Sequence, residues 1–372
     1  MIEIRGNQYV PDVVSPPGET LEETIDALGM SQAELAERMG RPQKTINEIV
    51  NGKAAITPET ALQLERVLGA PAHFWLNREQ HYQEWRARQA EEDRLRGEVD
   101  WLATLPVAEM VQRGWVAAFG DSIQQMRELL RFFGVASPAQ WREVWLNPSV
   151  AFRRSLAHAS DPGALAAWLR KGELEAQSVI CAAYDAGRFR DALLAARPLT
   201  TEPLPAALPA VQRLCASAGV AVAVVPSLAR SRVSGATRWL SPTKALLLLS
   251  LRYRTDDQFW FSFYHEAGHI LLHGKRSVFI DDGIEESGEV GDMHTPDEKK
   301  ESEANDFAAD TLLPQAVYRR FVQQHARFSK ARIRGFAVEQ GIAPGVVVGR
   351  LQHDGHLPFT HCNDLKQIVD LA

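Results

Sequence analysis

Residues 259–274 read FWFSFYHEAGHILLHG, and inside them His265, Glu266 and His269 form an H-E-x-x-H unit. A helix stacks positions four apart one turn above each other, so both imidazoles project from one face and can share a single tetrahedral ion. Glu266 then stands beside the ion rather than on it. There it can take the proton of a water whose pKa the ion lowers from about 15.7 towards about 7. Five residues alone recur by chance in many helices. Their flanks say more: Phe261, Phe263, Ile270, Leu271 and Leu272 are apolar, so the helix is predicted to be buried, where an unpartnered Glu between two His would be costly. Gly268 leaves room for a close neighbour, and Gly274 offers a helix stop.

A third ligand comes from a predicted helix between about Asp297 and Leu313, which contains ESEANDFAADTLLP at 301–314. Glu301, Asn305, Ala308 and Leu312 recur at helical spacing, which puts Glu301 on the face of Asn305 while Phe307 and Leu313 turn to the core. Glu301 is the expected zinc ligand, because two His and one Glu with a fourth position open make a catalytic set. Asn305 is expected to orient Glu301 or a His ring. Glu303 competes for the ligand role, but lies on the stripe of Phe307, away from Asn305. Of the other metal-capable residues, His273 is expected to cap the helix end and His294 falls in a loop.

From Ser262 to Leu313 the chain resembles the ImmA/IrrE group of gluzincin-type metallopeptidases. The matching elements are the HEAGH helix followed by His273, and a later helix carrying Glu301, Ala304, Phe307 and Ala308 that ends in Leu-Leu-Pro. The resemblance implies Zn2+ as cofactor and a regulatory protease whose substrate is a helix-turn-helix repressor.

The chain of 372 residues has room for two or three domains, with 45% hydrophobic and 24% charged residues as in ordinary globular proteins. It has no apolar run of eighteen residues and no basic-then-apolar leader, so neither a membrane span nor a signal peptide is expected and cytoplasm is the default. Cys181, Cys215 and Cys362 are isolated, which fits reduced thiols. A net charge of −6 gives no general attraction for nucleic acid.

Five helices are predicted from Pro17 to about Leu76. Ser31 with Glu34 makes a capping box for the second, Gly40 ends it, and Pro42 opens the third. Ile46, Ile49 and Val50 of the third face inward while Gln43, Lys44, Thr45 and Asn47 face out. Two helices around a short turn, the second with outward Gln, Lys, Thr and Asn, suit the major groove. Candidate DNA contacts are Gln32, Gln43, Lys44, Thr45, Asn47 and Lys53, with Arg41 able to reach phosphate or guanine. Nearly all of residues 17–90 resembles the Xre class, closest to HigA-type antitoxins. Between Pro17 and Asn77, however, nine acidic residues face five basic ones (Arg38, Arg41, Lys44, Lys53, Arg66), so useful affinity for operator DNA calls for a homodimer on two half-sites.

Residues 78–98 read as a solvated helix ending near Gly97. Residues 100–194 are helical and rich in Ala, Leu and Trp, with Trp101, Trp115, Trp141, Trp145 and Trp168 placed most simply in a core. Four prolines from Arg197 to Pro209 read as a linker. Strands are predicted at Val220–Val225, Ala236–Leu240 and Ala245–Leu251, with Ser234–Trp239 as a candidate free edge for an extended peptide. Arg238 and Tyr264 are candidate substrate contacts. The acidic, glycine-punctuated stretch 280–300 reads as a loop over the cleft.

The expected fold is mainly α with a small α+β part. It comprises a helix-turn-helix domain at 1–90, a helical middle region at 91–200 and a zincin-like domain at 201–372 whose short sheet packs on the H-E-x-x-H helix. Two functions fit. One is a zinc endopeptidase acting on a repressor or toxin–antitoxin component; the other is a HigA-like repressor or antitoxin whose peptidase fold senses a signal or binds a partner without cleavage in trans.

Overall fold

The computed structural model describes residues 14–146, 161–229, 231, 233–252, 254–274, 279–281, 296–325 and 327–369. The chain divides into two compact units, Met1–Val99 and Asp100–Ala372. Among the described residues no helix is long and apolar enough to cross a membrane.

The first unit contains α1 (Pro17–Ala27), α2 (Gln32–Met39), α3 (Gln43–Val50), α4 (Pro58–Leu68) and α5 (Ala72–Arg96). The expected caps form: Ser31 Oγ accepts from Glu34 N at 3.2 Å, Thr57 Oγ1 accepts from Thr60 N at 3.3 Å, and Gly40 ends α2 in the left-handed region at φ 65°. Leu21, Ile25, Leu35, Ile46, Ile49, Leu64 and Trp75 close the core. The fifth helix and the solvated segment after it form one 25-residue helix. Its first half is anchored by buried Glu79, which accepts from Ile56 N at 2.9 Å; its second half carries exposed Arg–Glu pairs.

The second unit begins with α6 (Val107–Gln112), α7 (Ser122–Phe133), α8 (Pro138–Trp141) and α9 (Pro162–Ser178), followed by α10 (Ala186–Ala196) and α11 (Leu204–Ser217). Trp101, Trp141, Trp145 and Trp168 are buried, and Phe133 meets both Trp141 and Trp145 edge-on at 5.7 Å between centroids. Rather than standing as a separate middle domain, this region is packed on the sheet. The Trp168 indole donates to Val225 O at 2.7 Å, and Lys244 Nζ donates to Ala176 O and Val179 O at the end of α9. The proline-rich stretch is also no linker. Arg197–Thr201 is a 3-10 turn, and α11 starts at Leu204 with proline in its first turn, where the missing N–H costs nothing.

The sheet holds β1 (Val220–Val224), β2 (Gly235–Ser241), β3 (Lys244–Leu249) and β4 (Phe279–Asp281) in the order β1-β3-β2-β4. β1 runs parallel to β3, and β2 lies antiparallel to both β3 and β4. The continuous apolar run of β3 reflects burial on both faces. Leu247 and Leu249 join the main core, whereas Leu248 meets Gly172 of α9. β4 was not foreseen, and it corrects the expected free edge: Gly235–Thr237 are paired with residues 279–281. Five more α-helices follow among the described residues: α12 (Asp256–Leu272), α13 (Pro296–Leu312), α14 (Gln315–Gln324), α15 (Lys330–Gln340) and α16 (Pro344–His353), the last formed by the VVVGRL segment. Most of the acidic loop, including His294, lies outside the described residues.

Candidate metal centre

α12 is apolar on nearly every side, because the sheet, α13 and α16 all pack against it. Phe259, Trp260, Phe263, Tyr264, Ala267 and Ile270 are buried in the main core. Two histidines and a glutamate are therefore carried into a place where only directional partners make them tolerable. Gly268 sets the spacing to α13: a Cβ at that position would lie 3.1 Å from Phe307 Cδ1 and 3.2 Å from Ala304 Cα. The small residues Ala304 and Ala308 are fully buried at the same contact. The Glu-x-x-Ala-x-x-Phe-Ala pattern is thus the packing surface that brings Glu301 over the histidines.

His265 Nε2 and His269 Nε2 lie 3.0 Å apart, and Glu301 Oε2 lies 3.2 Å from the first and 3.4 Å from the second. This trio is a group of donors able to hold one metal ion. Zinc bonds of 2.0–2.1 Å in a tetrahedron require donor atoms about 3.4 Å apart, so both the donor chemistry and the triangle fit the ion. Burial pushes the His269 imidazolium down to about 4, which leaves the neutral, ligating form at physiological pH. Burial alone would raise the Glu301 carboxyl, but hydrogen bonds with His265 and His269 outweigh it and hold the group well below the usual carboxylate range. The Glu301 side chain is 43% exposed, so the trio faces solvent on its side.

The remaining ring nitrogens are held as well. His265 Nδ1 stands 2.8 Å from Asn305 Oδ1, so of the two partners expected for Asn305, Glu301 or a His ring, it meets a His ring. His269 Nδ1 stands 3.0 Å from His273 Nδ1, and His273 Nε2 stands 3.2 Å from Glu303 Oε2. Glu303 is thus engaged by His273. Glu266 is fully buried, and the backbone of Gly235 at the start of β2 lies directly on its side chain; a Cβ at 235 would fall 2.7 Å from Glu266 Cγ. The available signal was a glycine at a strand start, which often marks a close backbone approach.

Neither candidate substrate contact is where it was expected. Tyr264 is fully buried and its hydroxyl donates to Leu193 O at 3.0 Å, with burial pushing its pKa far up. It points into the core because it lies on the other side of α12 from the histidine pair. Arg238 pairs with the carboxylate of Glu173 on α9 and lies over the Trp145 ring, 5.6 Å from its centroid. Its guanidinium is therefore engaged by α9 and Trp145, although 36% of the side chain stays exposed.

In the first unit, Gln43, Lys44, Asn47 and Lys53 are exposed, while Gln32 and Thr45 are half-buried. Asn47 Nδ2 approaches Gln32 Oε1 at 3.5 Å, and Lys44 faces Glu48 at 3.7 Å with its side chain 84% exposed. α2, the turn at Gly40 and α3 thus present one polar surface. Arg41 is turned back towards Gln63 and Glu59 of α4.

Residues 21–75 match the family described as Helix-turn-helix, and residues 229–351 match the peptidase family described as IrrE N-terminal-like domain. The second match contains His265, Glu266, His269, Glu301 and Asn305. The chain is similar to the HTH-type transcriptional regulator YddM of Escherichia coli, 39% identical over 61 residues that make 16% of this chain and 65% of that protein. It is also 39% identical over 79 residues to virulence-associated protein I of Dichelobacter nodosus, covering 21% of this chain and 70% of that protein. With antitoxin HigA-1 of Vibrio cholerae it shares 33% over 72 residues, 19% of this chain and 68% of that one. The similarity thus spans slightly less than two thirds of the first of these proteins and slightly more of the other two.

Proposed function

We propose that this chain, which belongs to the proteins joining an Xre/HigA-type helix-turn-helix domain to an ImmA/IrrE-type domain, is a cytoplasmic zinc endopeptidase that cuts a regulatory protein and binds operator DNA. The observation that carries the reading is the trio of buried His265 and His269 with half-exposed Glu301, and buried Glu266 in the same helix turn. Zinc, when bound, would polarise a peptide carbonyl and acidify a water.

The rest falls to the chain's own side chains. His265, His269 and Glu301 would hold the ion, with Glu301 on the side that faces solvent. Glu266 takes a proton from the attacking water on its carboxylate and passes it to the leaving amine as the C–N bond breaks and the C–O bond forms. A dry setting strengthens that role, since a carboxylate screened from water interacts more strongly with nearby charge. The substrate class we favour is a helix-turn-helix repressor or a toxin–antitoxin component, because the same chain begins with a helix-turn-helix domain. DNA binding engages Gln32, Gln43, Lys44, Thr45, Asn47 and Lys53 in a homodimer.

A second reading is a repressor or antitoxin whose zinc domain senses a signal or binds a partner without cutting in trans. The similarity to antitoxin HigA-1 favours it. A pure sensor has no use for Glu266, which favours the first reading. To separate them, wild type and Glu266→Gln are purified, checked for equal zinc, and incubated with regulators encoded at the same locus. Cleavage by wild type alone is expected. If wild type cuts nothing that the variant spares, itself included, the peptidase reading fails.

A further inference from the structure

The two metal-facing histidines differ in what holds their second nitrogen, and the difference fixes where the protons sit. A histidine that offers Nε2 to a metal carries its proton on Nδ1. His265 Nδ1 accordingly donates to Asn305 Oδ1, a neutral acceptor 2.8 Å away. His269 Nδ1 must donate to His273 Nδ1 at 3.0 Å. The proton of neutral His273 then stands on Nε2, where it meets the Glu303 carboxylate at 3.2 Å.

We propose that His273 and Glu303 form a positioning pair for the ligand His269, a two-step chain that fixes its tautomer and ring plane and raises its basicity. His273 suits the task by its place. It is the residue after α12, its backbone is extended at φ −112°, and its N–H still bonds His269 O at 3.1 Å, so the ring folds back along the helix with only 4% of its side chain exposed. Lys299, one turn earlier on the same helix, lies 3.8 Å from Glu303. α13 thereby supplies one ligand, Glu301, and an outer partner for each histidine, one neutral and one charged. A chain ending on a carboxylate makes His269 the stronger donor of the two.

The inference rests on the zinc reading of His265, His269 and Glu301, and the test separates the two. Full-length wild type, His273→Ala and Glu303→Gln are titrated with zinc against a chromophoric chelator, then loaded with Co2+ for proton NMR. Both variants are expected to bind zinc about 10–100-fold more weakly. Wild type is expected to show two metal-shifted, slowly exchanging imidazole N–H signals, and His273→Ala to lose that of His269 while keeping that of His265. Glu303 is half-exposed, so its variant keeps the test alive if His273→Ala does not fold. The proposal is overturned if both variants bind zinc as tightly as wild type with both signals present. Failure of wild type itself to bind zinc, or undiminished binding by His265→Ala, removes the metal centre and the pair with it; silent pair variants in a zinc-binding protein remove the pair alone.

Discussion

Gly235 and Glu266 are in direct contact: the backbone of β2 lies on the glutamate side chain so closely that a methyl group at 235 would sit 2.7 Å from Cγ and overlap the carboxylate. A glycine of β2 thus holds the Glu266 side chain, the proposed general base, in place. Gly235→Ala is expected to move Glu266 by a fraction of an ångström to an ångström while leaving the three ligands alone. Zinc content should stay at the wild-type level, and cleavage should fall about 100-fold, the usual effect of a 1 Å misplacement. Metal analysis alongside a single-substrate rate assay checks this, and an unchanged rate would show that β2 does not position the base.

Gly268 works against helix propensity. Alanine there would gain about 1 kcal/mol as a better helix former, yet its methyl would press on Ala304 and Phe307 of α13 at 3.1–3.2 Å. The steric effect wins for anything larger. Gly268→Val is expected to cost about 1–3 kcal/mol of stability and, by pushing Glu301 away from the histidines, to weaken zinc binding. Denaturant unfolding of the metal-free chain and chelator competition read the two effects separately. A stable variant with unchanged zinc affinity would mean that α13 can shift without consequence.

Asp256, in the first turn of α12, has its carboxyl pushed up to about 6, chiefly by burial and further by Asp257, against backbone N–H bonds from Gln367 and Asp257. Asp257 itself pairs with Lys366 at 2.6 Å. The folded chain therefore holds the Asp256 proton more tightly than the unfolded chain. Below pH about 4 both states are protonated and the group is neutral to stability; as pH rises through about 6 the folded state bears a growing penalty, of order 3 kcal/mol. Asp256→Asn keeps the acceptor for both backbone groups and removes the titration. Its stability relative to wild type should rise between pH 4 and 6 and then stay constant. Parallel pH–stability curves would refute the assignment.

Lys44 is exposed on the polar surface of α3, with Glu48 3.7 Å from its ammonium. Lys44→Ala is expected to weaken operator binding about evenly across sequences and to lower the salt slope by about one. Asn47→Ala should instead relax discrimination at one base pair, by about 1–3 kcal/mol. Shift assays on the upstream region at several salt concentrations tell these apart. Binding that ignores both substitutions would move the recognition surface elsewhere.

Much of this protein was legible because its signals are local. The capping box at Ser31 and Glu34, the apolar period of α3, the three long strands and the four-residue spacing of His265 and His269 all follow from periods of 3.6 and 2, which a sequence displays directly. The placement of Glu301 and Asn305 on one helix follows in the same way. That reasoning fails where a contact joins distant segments. Tyr264 and Arg238 looked available for substrate, but one lies on the core side of α12 and the other meets Glu173, sixty-five positions earlier. β4, the seat of Gly235 on Glu266, and the chain from His269 through His273 to Glu303 depend likewise on which face of one element meets which face of another. Sequence by itself determined most of the elements and the spacing of His265, Glu266, His269 and Glu301 along their helices. Only the tertiary structure decided which polar groups come together at the candidate metal centre and which are engaged elsewhere in the fold, because that choice is set by close packing between segments far apart in the chain.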